Sequence, residues 1–269
     1  MGGERRSGWV VIGEGRHAAR SAAPRGAERG ARLALAAAVG LLAWLPALDG
    51  DAKPKGCPAG MVAAVVEGKA FCIDQYEASV VELRGKTEVP HPHFKPVTGL
   101  RVRAVSKRGV FPQGYISRDE AEGACKEAKK RLCADDEWLA ACRGKKPTKF
   151  PYGDEHKDGY CNDKGISPLN KYYPDRPDAE KYGPVAMNDP RLNQLEGGLA
   201  KTGQFSKCRN GFRAQDMVGN LHEWTADPKG TFRGGYYLDT VINGEGCDYK
   251  TTAHDAKYHD YSTGFRCCK

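Results

Sequence analysis

All ten cysteines of this 269-residue chain fall after residue 56. An even set of thiols confined to one part of a chain reads as a disulfide framework formed in an oxidising compartment. Such a framework ties distant segments together and so constrains every fold the chain can adopt. The alternative is a set of buried free thiols in a reducing compartment. No Cys-x-x-Cys pair occurs, which removes the main support for a zinc ribbon or a thioredoxin-type redox site.

The residues before the first cysteine bear on the compartment. Leu33 to Leu48 is an apolar run broken only by Gly40 and Pro46, short of the roughly 20 residues that span a bilayer. Arg29 and Arg32 precede it, and Gly50-Asp51-Ala52 offers a small-x-small cleavage site. Residues 1–52 therefore read as a secretory signal peptide with a long basic n-region, leaving 53–269 as one mature domain. A translation start downstream of Met1, or retention of the run as an anchor, are the other readings of that long n-region. No Leu-x-Gly-Cys precedes Cys57, which argues against a lipoprotein. The net charge of +8 is scattered, with no basic stripe interleaved with aromatics. No nucleic-acid partner is expected, and a membrane only if the leader stays uncleaved.

Local patterns then place the elements. Met61 to Val66 and Ala70 to Asp74 are apolar runs about a turn at Glu67-Gly68-Lys69, a β-hairpin pattern. Cys57 and Cys72 lie at its two ends, which makes a bridge between them plausible. Residues 79–115 read as long loops with one or two short strands, such as Arg101 to Val105, and His91-Pro92-His93 as an exposed turn. Ser117-Arg118-Asp119-Glu120 is a capping box opening a helix to about Lys129, with Ala121, Ala124, Cys125 and Ala128 at helical spacing. Asp135-Asp136-Glu137 opens a second helix, with Trp138, Leu139 and Cys142 inward and Gly144 as its stop. Residues 164–215 carry no regular signal, and loops of that length are usually functional.

Several ordered motifs resemble those of the formylglycine-generating enzyme family, also called sulfatase-modifying factors. They are Ile73-Asp74-Gln75-Tyr76-Glu77, Lys130-Arg131-Leu132 with Glu137-Trp138, Tyr152-Gly153-Asp154-Glu155, and Gly219-Asn220-Leu221-His222-Glu223-Trp224. Arg233-Gly234-Gly235 and Gly264-Phe265-Arg266-Cys267 complete the set. The resemblance spans about Pro58 to Cys268. It implies an α+β fold, a formylglycine-generating-enzyme-like variant of the C-type-lectin fold with little regular secondary structure and many disulfides. It also implies bridges Cys125–Cys267 and Cys142–Cys247. With Cys57–Cys72 taken from the hairpin, Cys133–Cys268 and Cys161–Cys208 remain by elimination. Closing a loop of about 100 residues stabilises by roughly 4–5 kcal/mol in the chain-entropy model.

The resemblance further implies structural calcium. The matching ligands are Asp216 and Glu223 by side chain and Met217, Gly219 and Leu221 by carbonyl, a hard oxygen set suited to that ion. Asn162 and Asp163 match the start of a second site. The family's oxidase instead holds copper(I) with two cysteines five residues apart, shortly after the Arg-Gly-Gly strand. Residues 236–246 contain no cysteine, Asp239 and Asn243 suggest a polar turn, and Cys247 is claimed by its implied bridge. Copper is therefore not expected, since a soft d¹⁰ ion selects thiolates. The seven histidines do not fall in the spacing of the family branch that holds non-haem iron. No Gly-x-Ser-x-Gly, His-Glu-x-x-His or phosphate-loop motif occurs. His222, His254 and His259 with Asp255 and Asp260 form a polar cluster only if the last segment folds near the Gly-Asn turn. No catalytic residue is assigned. The expectation is a secreted, periplasmic or envelope domain, monomeric, that binds a protein, peptide or glycan. The rivals are a copper-dependent oxidase converting cysteine to formylglycine, and a structural envelope component.

Overall fold

The computed structural model describes residues 56–252 and 254–269. The leader expected at 1–52 lies outside them. The cleanest apolar alternation forms the first hairpin. Strands β1 (Met61–Val66) and β2 (Lys69–Asp74) pair antiparallel with Ala63 opposite Cys72. Glu67 and Gly68 both have positive φ at the turn between them, the geometry that matches the twist of a two-residue hairpin.

Residues 79–115 hold more regular structure than their sequence suggests. Strands β3 (Ala78–Arg84), β4 (Thr87–Pro90) and β5 (Val102–Ser106) form a sheet in the order β4-β3-β5. Its outer positions are charged, and Arg103 of β5 reaches Glu88 of β4 through hydrogen bonds of 2.7 and 2.5 Å. Ala78, Val80, Val102 and Ala104 are buried. Small and charged residues on such short strands leave little alternation to read.

Helix α1 (Arg118–Glu127) starts at the capping box: Glu120 N–H donates to Ser117 Oγ at 3.3 Å, and Ser117 N–H donates to Glu120 Oε2 at 2.9 Å. After β6 (Arg131–Leu132) comes α2 (Asp135–Arg143). Its cap at Ala134 has no side-chain acceptor, and Glu137 Oε2 accepts the Ala134 N–H at 3.0 Å. Gly144, at φ +76°, ends it. The long segment that follows contains only short helices, α3 (Pro168–Tyr172), α4 (Asp178–Lys181) and α5 (Pro184–Met187).

The three signature motifs become neighbours. Strand β7 (His222–Trp224) lies between β8 (Phe232–Arg233) and β10 (Thr263–Phe265), and β9 (Lys250–Thr251) closes the sheet in the order β10-β7-β8-β9. The β10–β7 pair is parallel, with Gly264 opposite Glu223. Strand β11 (Cys267–Cys268) then leaves this sheet and inserts between β2 and β6, with Cys268 opposite Ile73 and Cys267 opposite Leu132. Strand geometry sends adjacent side chains to opposite faces. Accordingly Cys267 is bonded to Cys125 in α1, and Cys268 to Cys133 just ahead of α2. The remaining disulfides join Cys57 to Cys72, Cys142 to Cys247 and Cys161 to Cys208. Trp138 with Ile73, Phe150 and Met217 fills one apolar cluster, and Trp224 with Ile116 and Phe265 fills a second. Tyr115, Leu192, Tyr237 and Tyr261 fill a third beneath the long loops.

Candidate functional site

The Gly-Asn turn is built by close backbone approach. Gly219 has φ +76°, and a Cβ there would stand 2.1 Å from the Asn162 carbonyl oxygen, so only glycine fits. The next residue, Asn220, is a buried connector. Its Nδ2 donates to Glu77 Oε2 at 2.5 Å, and its Oδ1 accepts from the Ala200 N–H and from Asn162 Nδ2, each at 2.9 Å. Glu77 Oε1 accepts the Leu221 N–H at 3.0 Å. The turn is thereby locked to the segment entering β3 and to both ends of the long loop.

Three residues on, Glu223 meets Arg266. Arg266 Nε and Nη2 donate to the two Glu223 oxygens at 2.5 Å each, and Trp138 Nε1 adds a third bond to Oε2 at 2.7 Å. Arg266 also donates to the carbonyls of Asp74 (3.1 Å) and Gln215 (3.0 Å). Glu77 and Asp216 are buried near the same guanidinium. Burial, then the neighbouring Asp216 and Glu223 carboxylates, pushes Glu77 well above the usual carboxylate range. Burial pushes Asp216 up to about 7. Three carboxylates around one cation favour retaining a proton.

The residues expected to hold calcium have the following partners. Both Glu223 oxygens already serve Arg266, and Asp216 Oδ2 accepts the Gly203 N–H at 2.7 Å. The Met217 and Leu221 side chains pack into the apolar clusters and Gly219 lies against Asn162, while the part expected of these three residues is through their carbonyls. Asn162 Nδ2 is bonded to Gly198 O (3.0 Å) as well as to Asn220. Asp163 Oδ2 lies 2.6 Å from His156 Nε2, while its buried Oδ1 has no partner among the described residues. As placed, the Glu223 carboxylate is taken up by Arg266 and Trp138. Among the described residues no three His, Cys, Asp or Glu side chains are grouped to hold a metal.

The segment after the Arg-Gly-Gly strand forms a polar turn. Asp239 Oδ1 accepts the N–H groups of Val241 (2.9 Å) and Ile242 (3.0 Å), and Oδ2 accepts the Tyr249 hydroxyl at 2.8 Å. The turn lifts Val241 and Ile242 into solvent, 60% and 79% exposed. The face beneath is filled with rings. His222 is surrounded by Phe232 (4.5 Å between centroids), Tyr236 (4.8 Å) and Tyr249 (5.4 Å). Burial, and then the nearby His254, hold its imidazole down at about 3, and its Nδ1 has no partner among the described residues. His254 stacks on Tyr258 at 3.8 Å and on the far side of the same cluster at Phe232, 5.6 Å away. His259 turns elsewhere, to Asn188 Oδ1 at 2.8 Å. Asp260 accepts from Ser262 and Tyr258, and Asp255 from the Lys257 N–H. The histidines and acids are thus divided among separate partners. With all described cysteines in disulfides, none of them offers a thiolate for nucleophilic or copper-thiolate chemistry.

The sequence alone assigns no role to Glu77 or Arg266, although both lie inside the family motifs. The signal that could have found Arg266 is a charge within a buried strand, flanked by Phe265 and Cys267.

Comparison with known proteins gives the chain a family. Residues 50–269 match the family model described as "Sulfatase-modifying factor enzyme 1-like domain". A bovine (Bos taurus) protein named "Inactive C-alpha-formylglycine-generating enzyme 2" is 24% identical over 201 residues, covering 64% of this chain and 53% of its own. The chain thus spans about half the length of that curated relative. Among solved structures, PvdO from Pseudomonas aeruginosa aligns over 77% of this chain and 89% of its own, at 14% identity and a TM-score of 0.45. CarF aligns over 75% and 86%, at 15% identity and a TM-score of 0.43. Matched by the family model from residue 50 to residue 269, the chain belongs to the sulfatase-modifying factor enzyme 1-like family.

Proposed function

We propose that this domain is a non-catalytic member of its family, a binding module that holds a protein, peptide or glycan on the face carrying its long loops. The observation that carries the reading is Asp239. Where the oxidase needs a thiolate, Asp239 caps a turn over a ring-filled face. Copper(I) is retained by soft sulfur ligands and not by such hard oxygens. The name of the bovine relative, which calls that protein inactive, is consistent with this. The five disulfides support a place outside reducing compartments, secreted or in the cell envelope.

The test is incubation of the folded protein with copper and a sulfatase-type cysteine peptide, followed by mass spectrometry. No mass change is expected. A loss of mass marking thiol-to-aldehyde conversion would restore the copper-dependent oxidase.

A further inference from the structure

A cavity of about 520 Å³ opens between the loop at His93, the loop at Phe111 and the segment from Asn193 to Gln204. That volume is in the range of small-molecule sites. Its apolar wall is His93 stacked on Phe111, with ring centroids 4.4 Å apart and planes at 19°. His93 Nε2 lies 3.2 Å from the Asn193 carbonyl oxygen, which fixes the ring, and burial holds its imidazole below the ordinary range, so the wall is uncharged near neutrality.

Two opposite charges flank this wall. Lys201 places its ammonium 5.5 Å from the Phe111 centroid, and Glu196 lines the same cavity. Among the described residues neither side chain has an ion-pair partner, and the two do not pair with each other. A third group is unfilled. Asn193 is 2% exposed and lines the cavity; its Nδ2 donates to Tyr261 O at 2.6 Å, while its Oδ1 has no donor among the described residues. That oxygen is itself shielded from solvent, so the two charges, not Asn193, are the groups open to a ligand.

We propose that this cavity binds a free α-amino acid with an aromatic or bulky apolar side chain. Its carboxylate pairs with Lys201, its ammonium with Glu196, and its side chain packs on the His93–Phe111 wall. A neutral sugar would stack on the same wall but leave both charges unanswered, and a peptide terminus would answer only one. The proposal goes beyond the binding-module reading, adding a small-molecule site to the protein, peptide or glycan proposed there.

Calorimetric titration with L-phenylalanine, phenylalanine amide, N-acetylphenylalanine and methyl glucoside tests it. Phenylalanine should bind about tenfold more tightly than either capped form, the loss expected for one charge-assisted hydrogen bond. Lys201→Gln should abolish the preference for a free carboxylate, and Glu196→Gln the preference for a free ammonium. Both side chains are exposed, so unchanged circular dichroism is the expected folding control. Phe111→Ala should weaken all phenylalanine derivatives together. Absence of saturable phenylalanine binding, or equal affinity for the free and capped forms, would overturn the proposal. Binding of methyl glucoside alone would also overturn it and leave the binding-module reading standing. Conversion of a cysteine peptide to the aldehyde would sink that reading without altering the titration.

Discussion

Arg266 and Glu223 form a two-point ion pair in which the side chains are 0% and 1% exposed. Both belong to family motifs, and their joint role here is to hold the centre of the fold. Removing one partner strands a buried charge, at a cost of about 3–5 kcal/mol. Glu223→Leu and Arg266→Met should each lower urea-unfolding stability by that order. The double variant Glu223→Leu with Arg266→Met should lose less than the two single losses added together. Full additivity in this cycle would show that the pair does not act as a unit.

Metal removal follows from the same pair. Because Arg266 already neutralises Glu223, chelator followed by excess calcium should leave the melting temperature unchanged. An upward shift on calcium addition would show an ion bound to the native state.

Gly219 supplies a backbone test. Gly219→Ala must place a Cβ 2.1 Å from the Asn162 carbonyl oxygen at a φ of +76°. The expected loss is more than about 2 kcal/mol, since both a clash and a left-handed conformation are imposed. Gly68 also has positive φ, but nothing lies within 4 Å of the place its Cβ would take. Gly68→Ala should cost only about 1 kcal/mol. Denaturant midpoints compare the two, and equal losses would refute the close-approach account.

Two buried groups should oppose each other in acid. His222, held at about 3 in the folded protein, binds its proton first in the unfolded chain. Its contribution is present above about pH 6.5 and is lost as pH falls toward 3. Asp216, raised to about 7, binds its proton first in the folded protein. Its contribution grows as pH falls from 7 toward 4, and it is lost as pH rises through 7. Each acts at up to about 1.4 kcal/mol per pH unit. Stability measured from pH 7 to 4 should therefore rise in His222→Phe relative to wild type, and fall more steeply in Asp216→Asn. Parallel profiles for all three proteins would reject this assignment.

The disulfides predict both a count and a cost. Denatured, unreduced protein should contain no reactive thiol by colorimetric titration, as all described cysteines are bonded. Replacing Cys142 and Cys247 by serine releases a link spanning 105 residues, for an expected loss of about 2–5 kcal/mol. A thermal midpoint equal to wild type would show that the link contributes nothing.

What the sequence made legible was local. The hairpin at Glu67-Gly68 and helix α1 behind Ser117 each carry their instructions within a few residues. Strands β3 and β4 escaped because their cross-strand partner Arg103 lies 15 residues from Glu88, and charge pairs do not alternate like apolar ones. The signature motifs were visible as strings, but the ion pair between Glu223 and Arg266 joins residues 43 apart. Nothing near Glu223 says whether its charge faces a metal, water or an arginine. The cavity at His93 was hidden for the same reason: Phe111, Asn193 and Lys201 converge only after three loops have folded.

The adjacent pair on β11 has a consequence for biosynthesis. Cys125 and Cys133 must wait for partners 142 and 135 residues further along the chain. The strand bearing those partners also supplies the backbone between β2 and β6. A chain truncated before Cys267 would carry two unmatched thiols and an unzipped sheet at once. These two native bonds can therefore form only once strand β11 has been synthesised and its cysteines lie beside Cys125 and Cys133.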